Sequence, residues 1–163
     1  MLRLPQFGIE TPSTVEDAVR LLKTPGARVV AGGTDILPNL KHLLDTPPVL
    51  VSLAAVSALR EVKVEEGELV IGAAVTLTEV SEHPLVREHA PSLAEAAGLV
   101  AGPLHRNMGT LGGNVNLDVR CRYVNQTKFW RDALGGGCLK SEGNVCHVVP
   151  KGRNCVAALS ADT

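Results

Sequence analysis

Residues 109–116 read Gly-Thr-Leu-Gly-Gly-Asn-Val-Asn, and they lead into a segment that holds every cysteine of the chain: Cys121, Cys138, Cys146 and Cys155. An earlier stretch, Ala31-Gly32-Gly33-Thr34-Asp35, has the same chemical character. It closes a short apolar run over 27–31 and precedes a helical pattern over 36–44, so the local order is strand, glycine turn, helix. Such a turn lets backbone N–H groups approach an anion, because no Cβ stands in the way, and a following helix adds a favourable dipole. Taken singly, the 31–35 stretch is equally well explained as a plain tight turn.

Two such turns in one short chain point to a pyrophosphate-bearing ligand. Thr110 offers a hydroxyl and Asn114 an amide, groups that suit phosphate, ribityl hydroxyls or a flavin ring edge. There is no Walker-type phosphate loop and no Gly-x-Gly-x-x-Gly opening a helix after a strand.

The cysteines are separated by 16, 7 and 8 residues. Confinement to so short a segment argues against incidental buried thiols. Zinc sites of four cysteines generally use Cys-x-x-Cys knuckles, which are absent here. An iron–sulfur cubane is wide, and its four thiolates can come from spread positions on a wrapping loop. Spacing alone favours iron–sulfur only slightly. Residues 118–158 also carry Arg120, Arg122, Lys128, Arg131, Lys140, Lys151 and Arg153 against Asp118, Asp132 and Glu142, a local surplus in a chain of net charge -1. That surplus suits an anionic cluster. With Tyr123, Phe129, Trp130 and the run Gly135-Gly136-Gly137, the segment has the character of an insertion with its own centre.

Outward from there, the first hundred residues mix short strands and helices, an α+β pattern. Strands are expected at 7–10, 27–31 and 49–53, with a hairpin over 62–71 that turns at Glu66-Gly67. Ser13-Thr14-Val15-Glu16 reads as a capping box for a helix with Val15, Ala18, Val19 and Leu22 on one face. Thr76-Leu77-Thr78-Glu79 reads as a second one, opening a short helix that Pro84 interrupts, with further helical pieces at 85–89 and 92–100. His83, His89 and His105 stand singly and receive no role. With 163 residues, 45% hydrophobic and 20% charged, the chain has material for one core or two small lobes. No signal peptide or membrane-length apolar run is present, so the expectation is a cytoplasmic protein with neither nucleic acid nor membrane as partner.

The stretches Ala31–Asp35 and Thr110–Asn114, with Val70-Ile71-Gly72-Ala73 and Gly102–Arg106 between them, resemble the FAD subunit of the xanthine dehydrogenase and carbon-monoxide dehydrogenase family of molybdenum hydroxylases. The four-cysteine segment, through Tyr123-Val124-Asn125-Gln126, Cys138-Leu139-Lys140 and Cys146-His147-Val148-Val149, is similar to the insertion of the 4-hydroxybenzoyl-CoA reductase branch. The resemblance implies two small mixed α/β lobes of the FAD-binding (PCMH-type) fold. They would span 1–55 and 56–117, with a [4Fe-4S] loop over 118–158 and the fold resuming at 159–163 in a subunit about twice this length. It implies FAD at Ala31, Gly32, Gly33, Thr34, Asp35, Thr110, Leu111, Gly112, Gly113 and Asn114, with Asp118 and Asp162 as further contacts. The cluster would be held by Cys121, Cys138, Cys146 and Cys155. Implied partners are a [2Fe-2S] small subunit, a large subunit with the molybdenum cofactor, and ferredoxin as electron donor, in a complex that dehydroxylates 4-hydroxybenzoyl-CoA to benzoyl-CoA. The alternatives are the FAD subunit of a related xanthine, aldehyde or CO dehydrogenase, and a zinc-stapled assembly module with no redox role.

Overall fold

The computed structural model describes residues 2–141, 143–155 and 157. The chain begins with β1 (Gly8–Glu10), α1 (Val15–Leu21), β2 (Arg28–Val30), α2 (Ile36–Lys41) and β3 (Val49–Ser52). The hairpin β4 (Val62–Glu65) and β5 (Glu68–Ile71) leads to α3 (Leu77–Glu82), α4 (Pro84–His89) and α5 (Pro91–Leu99). Shorter helices follow: α6 (Pro103–Arg106), α7 (Leu111–Val115) and α8 (Lys128–Ala133). These elements form two compact units. One comprises Phe7–Thr34 and Pro47–Asn116, the other residues 2–6, Asp35–Thr46 and the chain from Leu117.

In the first unit β1, β3 and β2 make a parallel sheet with β3 central, pairing Ile9 with Leu50 and Val29 with Val51. A central parallel strand is covered on both faces, and Leu50 and Val51 are fully buried while the edge residues Ile9 and Val29 are exposed. The capping of α1 differs from the sequence expectation by one residue. Thr14 has extended backbone and accepts from the Asp17 N–H, and its hydroxyl bonds the Asp17 carboxylate, so Ser13 and Glu16 do not form the box. Val15 and Val19 of the expected apolar face are exposed, and Ala18 alone of α1 is buried. A seven-residue helix packs through a narrow stripe, and here Ala18 fills it.

The second core of this unit joins Val75, Leu77, Val80, Val86, Ala94 and Ala97, with Val62, Leu69 and Ile71 of the hairpin packed against them. The hairpin turns through Glu66 and Gly67, both at positive φ, the conformation that a tight two-residue turn requires. Thr76 and Glu79 form the expected capping box of α3. Pro84 sits in the first turn of α4, where its missing N–H costs nothing, and the His83 ring accepts the Leu85 N–H at 3.2 Å. His83, given no role from sequence, is therefore a helix cap.

The other unit is mostly loop, organised by two buried groups. Leu40 is fully buried on α2. Arg131, at 7% exposure, donates to the carbonyls of Leu43, Val124 and Gln126, fastening α8 and the 124–126 turn to the end of α2. No helix among the described residues is long and apolar enough to cross a membrane.

Candidate functional site

The two glycine stretches meet within the first unit. A Cβ on Gly32 would lie 1.8 Å from the Met108 carbonyl oxygen, and one on Gly109 would lie 3.5 Å from the Thr34 hydroxyl. Only glycine allows that approach, so the residue type brings the stretches together. They do not play the same part. Leu111 N–H donates to Val75 O at 2.9 Å, Gly112 N–H to Ala73 O at 2.9 Å, and Asn114 N–H to Thr110 O at 2.9 Å. The Gly113 N–H is taken by the Thr110 hydroxyl oxygen, which caps α7. From Leu111 to Asn114 the second stretch is thus a capped helical turn with its amides occupied, rather than an open anion turn, while the Thr110 N–H makes no hydrogen bond among the described residues. Gly112 is required by packing: its Cβ would come within 2.7 Å of Ala73 Cβ.

The first stretch is the open one. Gly33 has φ +74, and the N–H groups of Gly32, Gly33 and Thr34 make no hydrogen bond among the described residues. Three adjacent, unspent amides can grip an anion. From the second stretch, the Asn114 side-chain amide likewise makes no described hydrogen bond.

In the other unit Asp35 and Asp118 are already engaged. The Asp35 carboxylate accepts from Asn39 Nδ2 at 2.7 Å and is ion-paired with Arg120. Arg120 also donates to the Asp118 carbonyl at 2.6 Å, while the Asp118 carboxylate pairs with Lys140. Asp162 lies outside the described residues. Much of the basic surplus of 118–158 is spent within the fold. Arg131 is buried, Lys128 pairs with Asp132, and Lys140 and Arg120 are paired as above, which leaves Arg122, Lys151 and Arg153 exposed without an ion pair among the described residues.

Cys121, Cys138, Cys146 and Cys155 all line one cavity of about 20 Å³, with Tyr123, Leu139, Lys140, His147, Val148 and Ala157. All four are free thiols. Cys138 is buried, Cys121 and Cys146 are half-buried, and Cys155 is exposed. The Val149 N–H points at Cys146 Sγ at 3.2 Å, and the Ser141 hydroxyl lies 3.7 Å from Cys138 Sγ. Tyr123 braces the wall: its ring stacks on His147 with centroids 4.3 Å apart, and its hydroxyl donates to Gly136 O at 2.9 Å. Burial raises the Tyr123 phenol above its usual range, and the neighbouring Cys138 adds to the effect. Among the described residues no three His, Cys, Asp or Glu side chains form a group that could hold a metal ion. The four sulfurs thus share a cavity with room for a water or two without converging on a point.

The profile of the FAD binding domain in molybdopterin dehydrogenase matches residues 5–163. The chain belongs to this family. It is 41% identical over 105 residues to the putative xanthine dehydrogenase FAD-binding subunit XdhB of Escherichia coli (strain K12), a match covering 63% of this chain and 36% of that protein. It is 34% identical over 116 residues to the nicotinate dehydrogenase FAD-subunit of Eubacterium barkeri, covering 69% and 39%. Among solved structures, the carbon monoxide dehydrogenase of Hydrogenophaga pseudoflava that lacks the Mo-pyranopterin moiety superposes with a TM-score of 0.68 at 36% identity, covering 69% of this chain and 40% of the other. Quinoline 2-oxidoreductase from Pseudomonas putida 86 gives 0.67 at 36% identity, with the same coverage. The chain spans about two fifths of the length of these relatives.

As an FAD-binding domain of this family the chain has side chains of interest that its sequence did not single out. Arg120, Tyr123 and His147 act through contacts between residues far apart in sequence, and Ser141 through the nearby Cys138. Their one sequence signal is proximity to a cysteine, since each lies within three residues of one.

Proposed function

We propose that this chain binds FAD at 31–35 and 110–114, binds a [4Fe-4S] cluster at Cys121, Cys138, Cys146 and Cys155, and relays electrons between them. The observation that carries the cluster half is that all four cysteines line one cavity across loops of 16, 7 and 8 residues. The donors fit in kind: four thiols, an N–H···S contact at Cys146 and a hydroxyl beside Cys138. Seating a cluster would widen the cavity, which the loop character of 134–141 and 143–155 permits. The flavin half draws on the unspent amides of Gly32, Gly33 and Thr34 and on the Asn114 amide, which would hold phosphate and polyol oxygens. We keep Asp118 and Asp162 as flavin contacts within this proposal, Asp118 through its exposed carboxylate edge.

The cofactors, when bound, supply the electron chemistry; the protein's part is placement. Gly32 sets the approach of the two glycine stretches, and Arg131 and Tyr123 hold the cysteine walls. Cys155 is the exposed corner of the cavity and gives a donor protein its closest approach. Arg122, Lys151 and Arg153 favour an acidic donor such as ferredoxin, with rates that fall as salt rises. Domain limits of 1–55, 56–117 and 118–158 describe the lobes and insertion in this reading. The complex would include a [2Fe-2S] small subunit and a molybdenum-cofactor large subunit, with 4-hydroxybenzoyl-CoA as the substrate reduced there. Relatives named for nicotinate and xanthine dehydrogenases support a second assignment, in which the same relay serves oxidation of another substrate.

The test is Cys146→Ser in the anaerobically reconstituted chain. Iron should fall while FAD stays bound, no more weakly than to the iron-free wild type; full iron retention in the variant removes Cys146 from the ligand set. Zinc replacing iron in the wild-type protein would move the reading to a structural staple.

A further inference from the structure

Arg120 directly precedes Cys121, and the chain over 117–121 has no regular structure of its own. The Arg120 side chain is only 10% exposed, and its guanidinium is shared between two acceptors: the Asp35 carboxylate and the Asp118 backbone carbonyl. Asp35 is fixed from the other side by Asn39, one turn into α2. Asp118 in turn pairs with Lys140, which lines the cysteine cavity. Asp35 is also the last residue of the open glycine stretch. A continuous run of polar contacts therefore joins that residue to the backbone that carries Cys121.

The arrangement has a stability cost, because Arg120 Nε is buried with no hydrogen-bond partner among the described residues. A guanidinium held in this way, with one donor unsatisfied, is better explained by positioning than by packing. Resting on the reading above, we propose that Arg120 is a positioning residue that couples the two cofactors. Ligation of Cys121 fixes the backbone at Arg120; Arg120 fixes the Asp35 carboxylate; and Asp35 fixes the end of the stretch that grips FAD. Coupling between two binding events is reciprocal, so a filled cysteine cavity tightens FAD and bound FAD tightens the cluster by the same factor. The pair is local in space though 85 residues separate its members, and it runs from Asp35 to a residue adjacent to a ligand.

The experiment is an FAD titration, read by quenching of flavin fluorescence, on iron-reconstituted and iron-free forms of the same chain. The ratio of the two dissociation constants is the coupling factor, and uniform damage to either site cancels from it. In the wild type it should be about fivefold or more. Arg120→Gln should bring the ratio close to one while far-UV circular dichroism and iron content hold. Asp35→Asn breaks the same pair from the side remote from the cysteines, and the double variant should lose no further coupling, since both changes remove one interaction. Arg120→Lys, which keeps the charge but gives up the two-acceptor fork, should restore part of the ratio. A ratio that survives in Arg120→Gln or Asp35→Asn overturns the coupling role alone. A wild-type chain that binds neither FAD nor iron overturns the proposed function, and the coupling with it.

Discussion

Gly32→Ala is the substitution whose consequence the structure sets most sharply. The added Cβ would sit 1.8 Å from Met108 O and 2.5 Å from Met108 C, both backbone atoms that no rotamer change can move aside. Reaching an ordinary contact of about 3.5 Å requires the two stretches to part by roughly 1.5 Å. Forced overpacking of this kind costs about 1–3 kcal/mol. If the strain is relieved by opening the cradle, it appears as an FAD dissociation constant weakened by about 5- to 150-fold. If the folded state absorbs it instead, it appears as lower resistance to urea. Both should be measured on one preparation, by flavin-fluorescence titration and by urea unfolding of the apoprotein. The control is Gly98→Ala in α5, whose Cβ would meet only Ser81 Cβ at an ordinary 3.7 Å. That change should stabilise by about 0.5–1 kcal/mol, because alanine loses less backbone freedom in a helix. A Gly32→Ala protein with wild-type FAD affinity and wild-type urea midpoint would refute the abutment of 31–34 on 108–109.

Other perturbations reach different parts of the molecule. Thr76→Ala removes half of a capping box and should cost about 1 kcal/mol in thermal or urea unfolding. The Thr76 backbone N–H bonded to the Glu79 carboxylate, with help from its hydroxyl, holds Glu79 below its ordinary value of 4.5. That contribution is whole above the ordinary value and is lost as pH falls through the lower folded value, so Glu79→Gln should flatten the acid limb of the stability profile below about pH 4.5. Arg131→Met leaves the Leu43, Val124 and Gln126 carbonyls without their buried donor. Limited proteolysis should then cut within 117–155 faster, with a stability loss on the order of 2–4 kcal/mol for that unit. Raising ionic strength should slow reduction by an acidic ferredoxin only modestly, because few of the segment's cations are left unpaired.

Much of the scaffold was legible because it is encoded locally. The hairpin turn at Glu66-Gly67, the Thr76–Glu79 box and the proline that separates α3 from α4 each declare themselves within four residues. The cap of α1 was misplaced because Ser13 and Thr14 are chemically equivalent as caps, and the backbone angle at Thr14 decides between them. The two glycine stretches looked alike in sequence. What separates them is non-local: Ala73 and Val75 occupy the amides of the second, and no described group occupies those of Gly32, Gly33 and Thr34. The basic surplus was countable from sequence, but the share of it left unpaired was not, since its pairing with Asp35, Asp118 and Asp132 and the burial of Arg131 depend on the fold. The four cysteines were singled out by clustering alone, and the structure adds that they face one cavity.

The central claim is that one chain holds both a flavin and a cysteine-bound cluster, and the most direct measurement is elemental and flavin analysis with a visible spectrum on one anaerobic sample of reconstituted protein. The account predicts iron and sulfide in equal amounts, about four of each per chain, broad visible absorption that bleaches with dithionite, and FAD released on denaturation. A colourless protein with zinc and no flavin would contradict it.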